Sequence, residues 1–397
     1  MIPELRRAYN AGYTDEKYSA YRRRLEERGG MEIPFRLAES PVFLPPELRD
    51  EMVEASLDIF RQLTTPEELE RSSAAVPERF RIPGCDSLPT FAVTDFAVTR
   101  APDGRLEPKL IELQAFPTLY AFQVAQCEEL IALCPTGERL GWCLSGLDKA
   151  GYKIAVGEAI LAGLPAENVV LLDLEPAHQK TAIDFAFTER FWGVRAVDPG
   201  EIERRGRRLF YRRNGKPTRI LRIYNRLIFD ELEARGATLP LDLSESLEVS
   251  WAGHPDWYFR WSKHCLPRLR HPTVPEAVLL SDLTEPPQDL DRWVVKPLFS
   301  FAGSGVKVDV TREDLAAVPS AQRPQTLLMR KVDYAPAIAT TDGQFSKVEV
   351  RVMFVWKDGA PLPVATLARL SQGKMMGVNY NKDRTWVGSS GCLWPHE

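Results

Sequence analysis

Residues 292–310, Arg-Trp-Val-Val-Lys-Pro-Leu-Phe-Ser-Phe-Ala-Gly-Ser-Gly-Val-Lys-Val-Asp-Val, constrain the fold more than any other part of this sequence. An apolar run, Trp293–Lys296, closes on a lysine. A turn of small residues follows at Ser300, Ala302, Gly303, Ser304 and Gly305, and a second strand-like run, Val306–Val310, begins behind it. Glycine admits tight turns whose N–H groups converge on phosphate oxygens, and a lysine at the strand end adds a point charge for the same anion. An ordinary β-hairpin with Lys296 in water has the same pattern. Its meaning therefore depends on what the rest of the chain places beside it.

Two other segments bear on that. Lys347–Trp356 alternates charged and apolar residues, which puts Lys347, Glu349 and Arg351 on one strand face. Lys357-Asp-Gly359 closes a hairpin, and the returning strand carries Arg369. Such a face either lies in water or holds phosphate and metal. Earlier, Phe91–Thr99 and Lys109–Leu113 flank Ala101-Pro-Asp-Gly-Arg105, a turn between two strands. Asp95 lies on the first strand, and Glu112 and Gln114, two apart on the second, leave from the same face.

Composition removes other classes. The chain has 397 residues, 44% hydrophobic and 27% charged, which is ordinary globular usage with room for two or three domains. No apolar run approaches the roughly 18–20 residues that span a bilayer, and the first residues carry no secretory leader. Six cysteines form no C-x-x-C pair and five histidines no H-E-x-x-H, so neither a zinc framework nor a disulfide scaffold is indicated. The reducing cytoplasm is the expected location. A net charge of −4 and a pI of about 5.9 disfavour a dedicated nucleic-acid binder. No G-x-x-x-x-G-K-[ST] and no G-x-S-x-G occur, which excludes P-loop and serine-hydrolase chemistry.

Periodicity divides the chain into a helical N-terminal region (1–80), an α/β stretch bearing the candidate metal-ligand strands (81–260) and a strand-rich part (261–397). Helices are expected over Leu48–Leu63, Leu119–Leu133, Gly151–Ala162 and Thr181–Arg190, and strands at Asn168–Leu174 and Val194–Val197. Leu209–Arg212 and Ile220–Tyr224 read as a hairpin around Asn214-Gly215. Pro267–Pro287 reads as a connector, and strands follow at Thr326–Lys331 and Leu362–Leu370. The class is α+β, or mixed α/β with antiparallel sheets, rather than doubly wound.

In this order the parts resemble the ATP-grasp superfamily, in the permuted arrangement of eukaryotic-type glutathione synthetase and glutathionylspermidine synthetase. The resemblance covers about residues 90–395, sharpest at 292–310 and 347–391, and does not extend to residues 1–80. It implies antiparallel sheets sandwiching ATP, and Mg²⁺ held by Asp95, Glu112 and Gln114, the last where the family usually has Asn. It further implies Lys263 (in Trp261-Ser-Lys-His264, expected on a helix) and Lys296 as the nucleotide lysines, with Gly303, Ser304 and Gly305 as the phosphate loop. Met329 and Lys331 would lie on the adenine hinge strand, and Asp333 would hold the ribose. Arg351 and Arg369 would be catalytic, Arg369 steadying an acyl-phosphate. Arg222, Asn225 and Arg226 would face substrate, and Gly388-Ser-Ser-Gly391 resembles a lid or substrate loop.

The implied chemistry is ATP-dependent carboxylate–amine ligation through an acyl-phosphate, with a small carboxylate and an amine (amino acid, peptide or polyamine) as substrates. Phosphoryl transfer of this kind needs positioning and charge neutralisation more than a nucleophile, and no Ser/His/Asp or Cys/His set is visible. Two other readings stay open: a nucleotide-binding scaffold without turnover, favoured by Gln114, and a small-molecule kinase.

Overall fold

The computed structural model of the chain describes residues 1–396 apart from 235, 237–238, 300–304, 374–375, 377–380 and 382. Helices α1 (Pro3–Gly12) and α2 (Asp15–Gly29) lead through β1 (Val42–Phe43) to α3 (Pro46–Leu63) and α4 (Pro66–Ala74). The hairpin β2 (Phe91–Arg100) and β3 (Leu106–Gln114) precedes α5 (Tyr120–Leu133), β4 (Leu140–Gly141) and α6 (Lys149–Leu161). Next come β5 (Val169–Leu172), α7 (Ala182–Trp192), β6 (Arg195–Val197), β7 (Glu203–Arg205), β8 (Arg208–Arg213), β9 (Lys216–Ile220) and β10 (Arg222–Asn225). Then follow α8 (Phe229–Ala234), β11 (Ser250–Ala252), α9 (Asp256–Arg260), β12 (Ala277–Leu279), β13 (Trp293–Pro297), α10 (Arg312–Ala317) and β14 (Thr326–Arg330). The chain ends on β15 (Ile338–Ala339), β16 (Phe345–Lys357), β17 (Ala360–Ser371), β18 (Gly388–Ser390) and β19 (Cys392–Pro395).

Local signals explain the helix bounds. Thr14 caps α2 by accepting from the Lys17 amide, and Gly30 closes it in a left-handed turn at φ 72°. Pro45-Pro46 opens α3, whose Leu48, Met52, Ala55, Ile59 and Leu63 form one buried stripe. None of the described helices is long and apolar enough to cross a membrane.

The largest sheet is antiparallel, in the order β18-β17-β16-β2-β3, with β15 beside β16. On one face Thr94, Phe96, Val350 and Val352 pack beneath α3, and Ser56 Oγ meets Thr94 Oγ1 at 2.7 Å. On the other, Val93, Met353, Ala365 and Leu367 enter a second core with Tyr120, Phe122, Tyr152 and Val156 of α5 and α6. Tyr9, Tyr21 and Leu25 join that second core and the α3 stripe belongs to the first, so residues 1–80 share both main cores with the rest of the chain.

A four-stranded parallel sheet, β11-β10-β5-β6, is sunk between layers. Val169 and Leu171 point into the second core while Val170 and Leu172 point into a separate one, as expected of a parallel sheet covered on both faces. Three short sheets complete the fold: the antiparallel β12-β14-β13 and β7-β8-β9, and the mixed β1-β19-β4, in which β1 is parallel to β19.

Four sequence expectations are corrected here. Ile220–Tyr224 is not one hairpin arm: β9 ends at Ile220, and β10 leaves the hairpin to pair with β5 and β11. Val306–Val310 is no strand; it touches β13 through a single Val295–Lys307 bridge. The proline-rich 267–287 connector contains β12, which pairs antiparallel with β14. Lys263 is not helical: α9 stops at Arg260, Ser262 is extended, and Lys263 opens a 3₁₀ turn containing Pro267.

Candidate active site

Register builds the site. Asp95 on β2 stands opposite Glu112 on β3 and opposite Arg351 on β16. Two residues from Arg351, on the same face of β16, Glu349 stands opposite Arg369 of β17. Four strands thus carry three carboxylates and two guanidinium groups onto one face. The opposite face is apolar and buried, so the alternation itself selects which side is charged.

The groups are interlocked. Arg351 forks Asp95 through Nε and Nη2, each at 2.6 Å, and Arg369 Nη2 donates to the same carboxylate and to Glu349. Tyr334 Oη donates to Glu349 at 2.7 Å. Asp95 is 1% exposed. Burial would push its carboxyl up, but the guanidinium charges and hydrogen bonds of Arg351 and Arg369 outweigh that and hold it below the ordinary range. The Nε–H of Arg369 is buried with no acceptor among the described residues.

At the β3 edge, Lys263 Nζ lies 2.9 Å from Glu112 Oε1, and the Gln114 amide donates to the same oxygen at 2.9 Å. Burial and the nearby Asp95 charge would raise the Glu112 carboxyl, but the Lys263 charge and hydrogen bond together with the Lys296 charge outweigh them and hold it below the ordinary range. Lys296, the last charged residue of β13, is 9% exposed. Among the described residues its Nζ approaches only the Ile111 carbonyl and Met329 Sδ, each at 3.4 Å. Burial, and then the neighbouring Lys263 charge, push it down to about 8 despite Glu112 and Glu349. A lysine so placed is short of an anion.

Asp95, Glu112, Gln114, Lys263, Lys296, Met329, Arg351 and Arg369 therefore converge. Lys331 and Asp333 lie at the β14 end of the neighbouring sheet, in ion pairs with Asp309 and Arg292. Gly305 has φ 70°, and a Cβ there would lie 2.8 Å from Pro297 Cγ, so the turn behind β13 requires glycine at this point. Gly303 and Ser304 lie outside the described residues.

The three candidate substrate residues do not share one location. Arg222 donates to the Ala159 and Ile160 carbonyls of α6 and to Ser250 Oγ. Asn225 closes a turn with the Leu227 backbone. Arg226 is tied to the site indirectly: it pairs with buried Asp184 at 3.0 Å and donates to the Thr118 carbonyl, while the Thr118 hydroxyl accepts from Arg351. Asp184 also accepts from the first amides of α5, Ala121 and Phe122. Thr118 and Tyr334 had no signal in the sequence, because each earns its place through a partner more than two hundred or about fifteen residues away.

Among the described residues, the one group of three possible ligand side chains with donor atoms within 4.8 Å of one another is Cys85, His254 and Asp256. It does not suit a cation. His254 Nδ1 accepts from the Asp256 amide, and Arg260 points at Cys85 Sγ. Burial pushes His254, and likewise His264, down to about 4. Both are therefore neutral when folded, and the stability this supports is present above about pH 6.5. Stability should fall from pH 6.5 toward 4, by up to about 1.4 kcal/mol per pH unit for each ring. Urea midpoints at pH 7 and 5 should show the loss, and His264→Gln should flatten it; identical pH slopes in that variant would refute the assignment.

No protein-family model matches the sequence, and no curated protein matches it. Among solved structures the chain is similar to a glutathione synthetase-like effector from Globodera pallida in its apo form. The TM-score is 0.58 at 11% identity, over 98% of this chain and 99% of the other. At that identity the likeness shows the fold: a mixed α/β, glutathione synthetase-like architecture with several antiparallel sheets.

Proposed function

We propose that this chain is an ATP- and Mg²⁺-dependent carboxylate–amine ligase of the permuted ATP-grasp type. It would act in the cytoplasm and join a small carboxylate (amino acid or peptide) to an amine through an acyl-phosphate. The observation that carries the proposal is the charged face of the large sheet, flanked by two buried lysines of which one, Lys296, has no ion-pair partner among the described residues. The glutathione synthetase-like fold supports it, as do six free thiols, which suit a reducing compartment.

The residues present fit the nucleotide and its metal in part. Glu112 offers a carboxylate, and Gln114 an amide oxygen left free by the bond its NH₂ makes, a hard-oxygen set of the size Mg²⁺ accepts alongside phosphates. Asp95 fits less well as a ligand, because both its oxygens are held in the Arg351 fork. We assign it the positioning of the two arginines. Mg²⁺, when bound, neutralises phosphate charge. Lys263 and Lys296 would bind the phosphates, Arg351 and Arg369 would hold the carboxylate that receives the phosphoryl group, and the apolar packing around them would exclude water.

One observation favours a second reading. All three carboxylates of the face are satisfied by cations of the protein itself, which suits a nucleotide-binding scaffold without turnover. Incubation with Mg²⁺-ATP and a mixture of amino acids, polyamines and short peptides separates the two. Phosphate release above background, with hydroxamate formed when hydroxylamine is added, supports the ligase. ATP binding without release supports the scaffold, and phosphate transfer insensitive to hydroxylamine points to a kinase.

A further inference from the structure

The chain's net charge conceals a strongly segregated surface. Between Glu203 and Ile220, the span of the β7-β8-β9 sheet, stand eight cationic residues and a single acidic one, in a chain whose overall charge is −4. Leu209, Tyr211 and Ile220 bury one face of this sheet in the core they share with Val170, Leu172 and Ile223 of the parallel sheet. The register puts the alternate positions on the other face: Arg205 opposite Arg208, and Arg219 opposite Phe210, with Arg212 two residues along β8. Arg205, Arg208 and Arg212 are exposed.

Folding does not require this arrangement and is opposed by it. Like charges directly opposite across strands destabilise a sheet, yet Arg205 faces Arg208, and at the turn Arg213 faces Lys216. The nearby acids are too few. Arg205 pairs with Glu203, while Arg208 and Arg219 share a single Glu248 oxygen at 3.0 and 2.7 Å. Among the described residues neither Arg212 nor Lys216 has a carboxylate partner; Arg212 donates only to the Gly215 carbonyl. Phe210, half-buried, stands between Arg219 on β9 and Glu203 on β7, with the Arg205 guanidinium 4.6 Å from its ring centre.

We propose that the outer face of β7-β8-β9 binds single-stranded nucleic acid. Arg208, Arg212 and Arg219 contact the phosphates, and the Arg205–Phe210 pair forms the platform on which a base stacks. An aromatic ring set among guanidinium groups is what such a ligand uses, because every base presents a π face between phosphates. An acidic peptide would use the cations alone and leave Phe210 without a role. The site is separate from the proposed ligase centre and does not depend on it.

Fluorescence anisotropy of the full chain with a labelled oligouridylate of about 12 nucleotides tests this. Binding is expected at about 50 mM salt, and log K should fall against log salt with a slope of about −2, as three phosphate contacts require. Arg212→Glu should weaken binding about tenfold and flatten the slope by about 1, with the unfolding midpoint unchanged. Phe210→Leu keeps the apolar contact and should still weaken binding at least ~5-fold. Arg23→Glu, the same charge change on α2, should leave affinity within about twofold. The proposal is overturned if the wild type shows no binding, if Arg212→Glu and Arg23→Glu act alike, or if a labelled oligoglutamate of equal length binds as tightly as the oligonucleotide.

Discussion

Replacing Asp95 with alanine is expected to destabilise the protein by about 3–5 kcal/mol, because it strands the Arg351 guanidinium and takes one of two buried counter-charges from Arg369. Asp95 is 1% exposed and accepts from both Arg351 and Arg369. Without it Arg351 keeps only the Thr118 hydroxyl, and Arg369 only Glu349. Asparagine keeps the shape but not the charge, and should recover little. The double variant Asp95→Ala/Arg351→Met should lose less than the sum of the two single changes, since the second removes the stranded charge. Chemical denaturation of the three variants measures this. Additive losses would mean that the fork contributes nothing beyond packing.

Lys296→Met should do the opposite to stability while removing function. Burial holds the Lys296 ammonium down to about 8, which makes its charge a cost to the folded state. Methionine fills the same volume without a charge, and should stabilise the chain by on the order of 2–3 kcal/mol at pH 7. The sign can be checked in the wild type: with the folded value below the free one, stability contributed by this residue rises between pH 8 and about 10.5. The variant should not show that rise. If Lys296 serves a nucleotide, the same substitution should lower ATP-dependent turnover by about 10²–10³. A gain in melting temperature together with a loss of ATP binding identifies a residue kept for function at the expense of stability. A lysine that merely supports the fold would give a lower melting temperature, and ATP affinity equal to wild type would place the nucleotide elsewhere.

Much of the site was legible because it sits on long strands with strict alternation. Lys347–Trp356 declared which of its residues share a face, and Glu112 and Gln114 did the same two residues apart. What alternation does not carry is which strand lies beside which. Asp95 read as a member of a metal set, and only the register of β2 against β16 shows Arg351 forking it across 256 residues. Short strands were the other blind spot. Ile220–Tyr224 looked like one arm because its apolar pattern runs through Leu221, but that residue is where the chain passes from an antiparallel hairpin to a parallel sheet. Strands of three or four residues buried on both faces have no alternation to display. The Asp184–Arg226 pair was hidden for a different reason: an acid in a helical pattern reads as surface, and only packing shows α7 aiming it at the first amides of α5.

The pairing of β2 with β16 has a consequence for how the molecule comes into being. Its charged face is divided between residues 91–114 and 345–371, so no early stretch of the nascent chain holds both the acid and its cations. Loop-closure entropy grows only slowly with length, so the distance itself is affordable, but the large sheet must wait for its third and fourth strands. Until then the β2–β3 hairpin carries Asp95 and Glu112 on an unpaired edge, and those two negative charges disfavour premature docking against apolar surface.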